Sequence, residues 1–288
     1  MQICAKSPLA KHAIPCLMAD MSDQIDDGYI EPETKPAATM VIMHRDPAGG
    51  APKILMMERV KSMAFAGGAA VFPGGKVDPE DFTYAEALGD DVTLGLDRDE
   101  VAARLAVIRE TIEEAGLALG LTGVDDPADC EAARAALHGG ATLADICGEF
   151  DWTPDIVKLV PWARWRPPAF ERTPRIFDTR FYLIDAGDTE LNAVVDATEN
   201  KKLFWASAEE TLSLAEEGKV MIIFPTRRNL ERLAQFGSFD DACTHAADFP
   251  VRTVLTYIDD RPDGKYLSIP GDHGYPVIAE PLSKSLRG

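Results

Sequence analysis

The sequence predicts a mixed α/β (α+β) layered domain. Strand-like and helix-like segments follow one another as strands, helix, strands, helix. That order argues against a doubly wound sheet and against an all-β sandwich. The chain has 288 residues, 46% hydrophobic and 27% charged. This is an ordinary globular composition, and the length suffices for one large domain. No internal repeat or low-complexity tract interrupts it.

Residues 1–35 are expected to be a largely disordered N-terminal extension, with Met21 the preferred natural start. The apolar run Ala13–Ala19 follows Lys6 and Lys11 but is broken by Pro15, so it makes a poor signal-peptide core. Residues 36–288 are read as a single domain. Ala38–Arg45 and Lys53–Arg59 read as strands, and the turn formers of Asp46–Pro52 join them into a hairpin. Gly67–Gly75 is a short apolar segment framed by glycines. Asp99 can cap a helix that runs to about Ala115, with Gly116 suited to the position just past its end. Ala128–Leu137 and Leu143–Glu149 look like short helices. Thr179–Ala186 and Leu203–Ala206 read as strands, Thr226–Phe236 as a helix, and Arg252–Ile258 as one further strand. Trp152, Trp162, Trp165 and Phe170 favour core packing over stacking on an adenine.

The charge balance is 29 basic against 48 acidic residues, net −19. So acidic a surface repels phosphate backbones and anionic lipid, which argues against nucleic-acid and membrane partners. A small phosphorylated ligand stays open, because a local metal ion can reverse the field at one site. The five cysteines are scattered, with no C-x-x-C pair. They read as free thiols in a reducing compartment, the cytoplasm. No apolar run approaches the roughly 18 residues of a membrane helix.

Chemistry concentrates in Arg109–Leu117, RETIEEAGL. On a helix, Glu110, Glu113 and Glu114 stand at i, i+3 and i+4 and share a face. Val101, Leu105, Ile108 and Ile112 form a separate apolar stripe. The plain alternative is a solvated acidic face. Two costs speak against it: like charges one turn apart repel, and the C-terminal end of a helix disfavours negative charge. A divalent cation relieves both, and oxygen-only ligands suit Mg²⁺ or Mn²⁺ over zinc. A second segment, Phe72–Asp81 (FPGGKVDPED), has two glycines that allow close backbone approach to a ligand. Taken alone it also reads as a plain turn.

Together the two segments resemble the Nudix box of the Nudix hydrolases: G, five residues, E, seven residues, then R-E-U-x-E-E-x-G-U. Gly75, Asp81, Arg109–Glu110, Glu113–Glu114, Gly116 and Leu117 fall on it. Asp81 stands for the family's Glu, and Thr111 for its first aliphatic residue. Arg109 lies 28 positions beyond Asp81 where the pattern has eight, an insertion of 20. The box thus spans 75–117, with an insertion at about 82–97 that can loop out. The split box is similar to the branch that includes peroxisomal coenzyme A diphosphatase relatives. Leu55–Gly75, Pro174–Phe181, Phe204–Leu212 and Ile269–Asp272 resemble its other landmarks, over residues 38–276.

The resemblance implies a Nudix α/β/α sandwich with a mixed β-sheet between helices, elaborated by insertions. It implies hydrolysis of a small-molecule diphosphate substrate, with coenzyme A or acyl-CoA favoured. ADP-ribose or NADH is the alternative, as is a non-catalytic nucleotide sensor. A homodimer is compatible with it. Glu110 and Glu114 are implied as metal ligands, Glu113 as a third ligand or a partner of bound water, and the Gly74 or Gly75 carbonyl as a completing ligand. The implied general base is Glu110 or Glu113 from the box, or Glu199 from the 196–201 loop. Arg109 is expected to orient Glu113 from one turn away. Arg59, Gly74 and Asp81 are the candidates for substrate contact. For Arg59 and Arg180 a surface salt bridge is the plain alternative.

Overall fold

The computed structural model describes residues 33–46, 48–60, 68–167, 176–187, 193–194 and 200–285. The first half comprises β1 (Thr34–His44), β2 (Lys53–Arg59), β3 (Ala70–Val71), β4 (Gly74–Lys76), α1 (Pro79–Ala87), α2 (Asp90–Thr93) and α3 (Arg98–Ala115). Next come β5 (Leu121–Thr122), α4 (Pro127–His138), α5 (Leu143–Phe150), β6 (Thr153–Pro154), β7 (Val160–Arg166), β8 (Ile176–Asp185) and β9 (Asn200–Ala206). The last part holds α6 (Ala208–Glu216), α7 (Phe224–Leu233), α8 (Phe239–Asp248), β10 (Thr253–Leu255), β11 (Tyr257–Arg261), β12 (Gly264–Ser268), β13 (Ala279–Pro281) and α9 (Leu282–Ser285).

The main sheet runs β10-β7-β8-β1-β2-β3, with β4 on β1 and β9 on β2. It is mixed: β1 pairs with β8 in parallel from Thr34↔Ile176 to Met43↔Asp185, while β1 and β2 form the expected antiparallel hairpin. Its central strand is apolar on both faces. Met40 and Ile42 enter one core with Leu105, Ile108 and Ile112 of α3. Val41 and Met43 enter the other with Trp162, Trp165 and the apolar residues Leu230, Leu233, Ala242 and Ala246 of α7 and α8. Side chains alternate across a strand, so a strand buried on both faces needs a helical layer on each. The result is the expected α/β/α sandwich.

The other edge of β1 is shared, and this sharing positions the site. Its end pairs with β2 at Met43–His44, while Ala37–Thr39 pair with Lys76–Gly74 of β4. The Met40 N–H reaches the Pro73 carbonyl at 2.8 Å. This splits the edge and lays Gly74–Lys76 beside α3.

Several expectations need correction. β1 starts at Thr34, so Thr34 and Lys35 belong to the sheet and not to a preceding extension. Residues 1–32 and Phe170 lie outside the described residues. The helix cap is Asp97, whose carboxylate accepts from the Glu100 N–H, and Asp99 falls in the first turn. The box insertion does not loop out passively: it folds as the end of α1 and as α2, and α1 packs on α3. Arg252–Ile258 divides at Thr256 between β10 of the main sheet and β11 of a separate three-stranded sheet. Trp152, Trp162 and Trp165 are buried. Arg180 pairs with Glu100 at 3.3 Å. Among the described residues no helix is long and apolar enough to cross a membrane.

Thr111, which breaks the aliphatic pattern, is fully buried in α3. Its hydroxyl donates to the Val107 carbonyl one turn back at 2.7 Å and lies 3.5 Å from Met40 Sδ. The helix itself satisfies it, so an apolar core accepts it. Thr111→Val is expected to change stability by less than about 1 kcal/mol, measured by urea unfolding. A loss of several kcal/mol would contradict this account of the position.

Candidate active site

α3 is the platform. Asp97 caps its start, and Gly116, at φ 69°, ends it in the left-handed conformation glycine favours. Most of its circumference is covered. Glu110 and Glu114 lie against Gly75 and Gly74, and Glu113 is paired with Arg109. The helix's carbonyl end is met by Arg134 of α4, whose Nε donates to Glu113 O at 2.8 Å and Nη2 to Glu114 O at 3.3 Å. A cation there offsets the negative helix end beneath the carboxylates.

Arg109 gathers three segments. Its Nε and Nη2 donate to the two Asp81 oxygens at 3.2 and 3.0 Å. Nη2 also reaches the Lys76 carbonyl at 3.0 Å and lies 3.4 Å from Asp78 Oδ2. Nη1 donates to Glu110 Oε1 at 3.1 Å and Glu113 Oε1 at 3.2 Å. Such forked pairs fix both partners in direction. Burial opposes the charge on Arg109, but the Asp81 hydrogen bond and the Glu110, Asp81 and Glu113 charges outweigh it and raise its pKa.

Asp81 is 2% exposed. Besides Arg109 it accepts the Asp78 N–H at 2.9 Å, closing the capping box of α1. Its oxygens therefore face inward, to Arg109 and the α1 cap, and not towards a substrate.

Glu114 is held by both oxygens. The Gly74 N–H donates to Oε2 at 2.8 Å, and Asn200 Nδ2 donates to Oε1 at 3.3 Å. Gly74, expected at the substrate, thus spends its N–H on Glu114. Its φ of 149° and its approach to Ala38 and Thr39 leave no room for a Cβ. A Cβ on Gly75 would overlap the Glu110 carboxylate. Gly74 therefore needs glycine because the β1 backbone crowds it, and Gly75 because the Glu110 carboxylate lies against it. Arg59 stands opposite Asn200 in the β2–β9 ladder. Glu199 lies outside the described residues.

Burial pushes the Glu110 carboxyl up to about 8. Arg109 opposes the rise, and the neighbouring Glu114 and Glu113 charges add to it. The site therefore carries more negative charge than Arg109 neutralises. Its donors are all oxygen, the set that hard divalent cations take. Among the described residues, no three acidic, His or Cys side chains are already closed around one point. The donor chemistry and the charge excess fit a cation, with side-chain adjustment on binding. Sequence reasoning missed Asn200 and Arg134, whose contacts to Glu114 and Glu113 span 86, 20 and 21 positions.

Comparison with known proteins adds to this geometry. The family described as the NUDT19 Nudix domain matches residues 88–233. Acyl-coenzyme A diphosphatase NUDT19 of Homo sapiens is 26% identical over 297 residues, covering 86% of this chain and 77% of that protein. Its Gallus gallus counterpart is 26% identical over 275 residues, covering 78% and 73%. The crystal structure of a Nudix hydrolase from Alicyclobacillus acidocaldarius matches with a TM-score of 0.61 at 24% identity. It covers 74% of this chain and 96% of its own, a likeness of fold.

Arg109→Leu is expected to destabilise by about 3–5 kcal/mol, because it strands Asp81 as an unpaired buried charge. Urea unfolding measures this, and a loss under 1 kcal/mol would contradict the hub. In cation-free protein Glu110 holds its proton to higher pH folded than unfolded. Its contribution to stability is therefore complete below 4.5 and lost as pH rises through about 8. Glu110→Gln should flatten that slope. Thermal unfolding in excess chelator from pH 5 to 9 checks it, and an unchanged slope would contradict it.

Proposed function

The chain belongs to the Nudix hydrolases, in the family of the NUDT19 Nudix domain, and from that premise we propose that it hydrolyses the diphosphate bond of coenzyme A or an acyl-CoA. The relatives named acyl-coenzyme A diphosphatase support this substrate class. The observation that carries the reading is the acidic face of α3, with Glu110 against Gly75, Glu114 held from two strands, and Arg109 tying Glu113 to Asp81.

On this reading Glu110, Glu113, Glu114 and the Gly75 carbonyl hold Mg²⁺ or Mn²⁺. Such an ion, when bound, neutralises diphosphate oxygens and acidifies a bound water. The protein's part is mainly orientation. Gly74 N–H and Asn200 set the plane of Glu114. Arg109 orients Glu110 and Glu113 through their Oε1 atoms. Glu113 has the more open side chain of that pair, 23% exposed against 15%, and is our first choice to accept the proton of the attacking water. Glu110 and Glu199 are the other candidates. Asp81 acts by positioning Arg109. Arg59, beside Asn200, is assigned to a substrate phosphate. Cys130, Cys147 and Cys243 are free thiols, which supports a reducing compartment, and we place the reaction in the cytoplasm.

The test is ³¹P NMR of the protein with Mg²⁺ or Mn²⁺ and coenzyme A, an acyl-CoA, ADP-ribose, NADH and a nucleoside triphosphate. New phosphomonoester signals should appear first with the coenzyme A compounds and vanish in excess chelator. Glu114→Gln should keep the fold and lower turnover about 10²–10³-fold. Full activity in chelator, or near-normal turnover by that variant, would overturn the metal-site assignment. Preference for ADP-ribose or NADH would overturn the substrate.

A further inference from the structure

Asn200 is fully buried and opens β9. Its backbone stands opposite Arg59, where the β2–β9 register shifts between Glu58 and Arg59. Such irregularities re-aim a side chain, and this one sends the Asn200 amide to Glu114, with Nδ2 donating to Oε1 at 3.3 Å. The Gly74 N–H holds the other oxygen, Oε2, at 2.8 Å. Two donors on two strands therefore stop Glu114 from turning. The other end of the amide is not used this way: among the described residues, Asn200 Oδ1 is buried with no hydrogen-bond donor. A buried acceptor left unpaired is costly, and each instance in a folded protein calls for a reason. Water carried by a cation is a donor of the right chemistry.

We propose that Asn200 is a positioning residue of the acidic site, locking Glu114 for cation binding and offering Oδ1 to water on the cation. The inference rests on reading the acidic face of α3 as a cation site. Outer partners of metal ligands commonly change affinity about 10–100-fold when removed.

The experiment is Mn²⁺ titration of the full chain, with free Mn²⁺ read by electron paramagnetic resonance. The proteins are wild type, Asn200→Leu, Asn200→Ser, Glu114→Gln, and Glu114→Gln combined with Asn200→Leu. Asn200→Leu and Asn200→Ser should weaken binding about 10–100-fold. In the Glu114→Gln background, Asn200→Leu should have a clearly smaller effect, because the carboxylate it orients is gone and only the contact through Oδ1 remains to be lost. Unchanged affinity in both single variants overturns the inference, as does an equal loss in both backgrounds. Wild type that binds no Mn²⁺ fails the cation-site reading itself, and the inference falls with it.

A second measurement covers variants that do not fold. The chain has three asparagines, Asn192, Asn200 and Asn229, so ¹⁵N-asparagine labelling gives three side-chain amide pairs. Mg²⁺ should shift one buried, slowly exchanging pair. Three pairs unmoved by Mg²⁺ at saturation would overturn the inference.

Discussion

Arg109 stands where three parts of the chain meet that the sequence keeps apart. Its guanidinium binds Asp81 at the start of α1, the Lys76 carbonyl at the end of β4, and Glu110 and Glu113 on its own helix. Without it, Asp81 is an uncompensated charge in the interior, and the glutamates have nothing to hold them in a common direction. The forked, permanently charged geometry matters here, since a lysine offers neither the two parallel donors nor the planarity. Arg109 thus joins the two ends of the split box, in place of continuity in sequence. The insertion between them is free to fold as α1 and α2 because that bond closes over it.

The hub works because the backbone around it leaves space where side chains would intrude. β1 gives one edge to β2 and β4 in turn, and β4 therefore lies beside α3. Gly74 and Gly75 then bring main chain against Glu114 and Glu110. Charge is left over: burial and neighbouring carboxylates raise Glu110 to about 8, and Arg134 moderates the helix end through the Glu113 and Glu114 carbonyls. A fold that buries carboxylates together sacrifices stability in the cation-free state, and a cation bound there would restore it.

Features set by neighbours in sequence were legible. The turn formers of Asp46–Pro52 announced the β1–β2 hairpin, and the stripe through Val101, Leu105, Ile108 and Ile112 with Gly116 announced α3. The spacing of Glu110, Glu113 and Glu114 announced the acidic face. Features set across the sheet were not. Nothing local shows that the chain changes sheets at Thr256, or that the insertion packs as helices. Asp81 invited a substrate role because its box position did, whereas its inward contacts to Arg109 appear only in three dimensions. Asn200 has no local signal, because its partner Glu114 lies 86 residues away. Thr111 looked like a misfit until its hydroxyl was found bonded to its own helix.

The central claim is that the acidic face of α3 is a divalent-cation site built from Glu110, Glu113, Glu114 and the Gly75 carbonyl. Anomalous diffraction from a crystal soaked in Mn²⁺ tests it most directly. The account predicts a peak at ordinary metal–oxygen distance from at least two of those carboxylates, beside the Gly75 carbonyl, with Arg109 still bound to Asp81. A peak located elsewhere, or an acidic face still without one at saturating Mn²⁺, would contradict it.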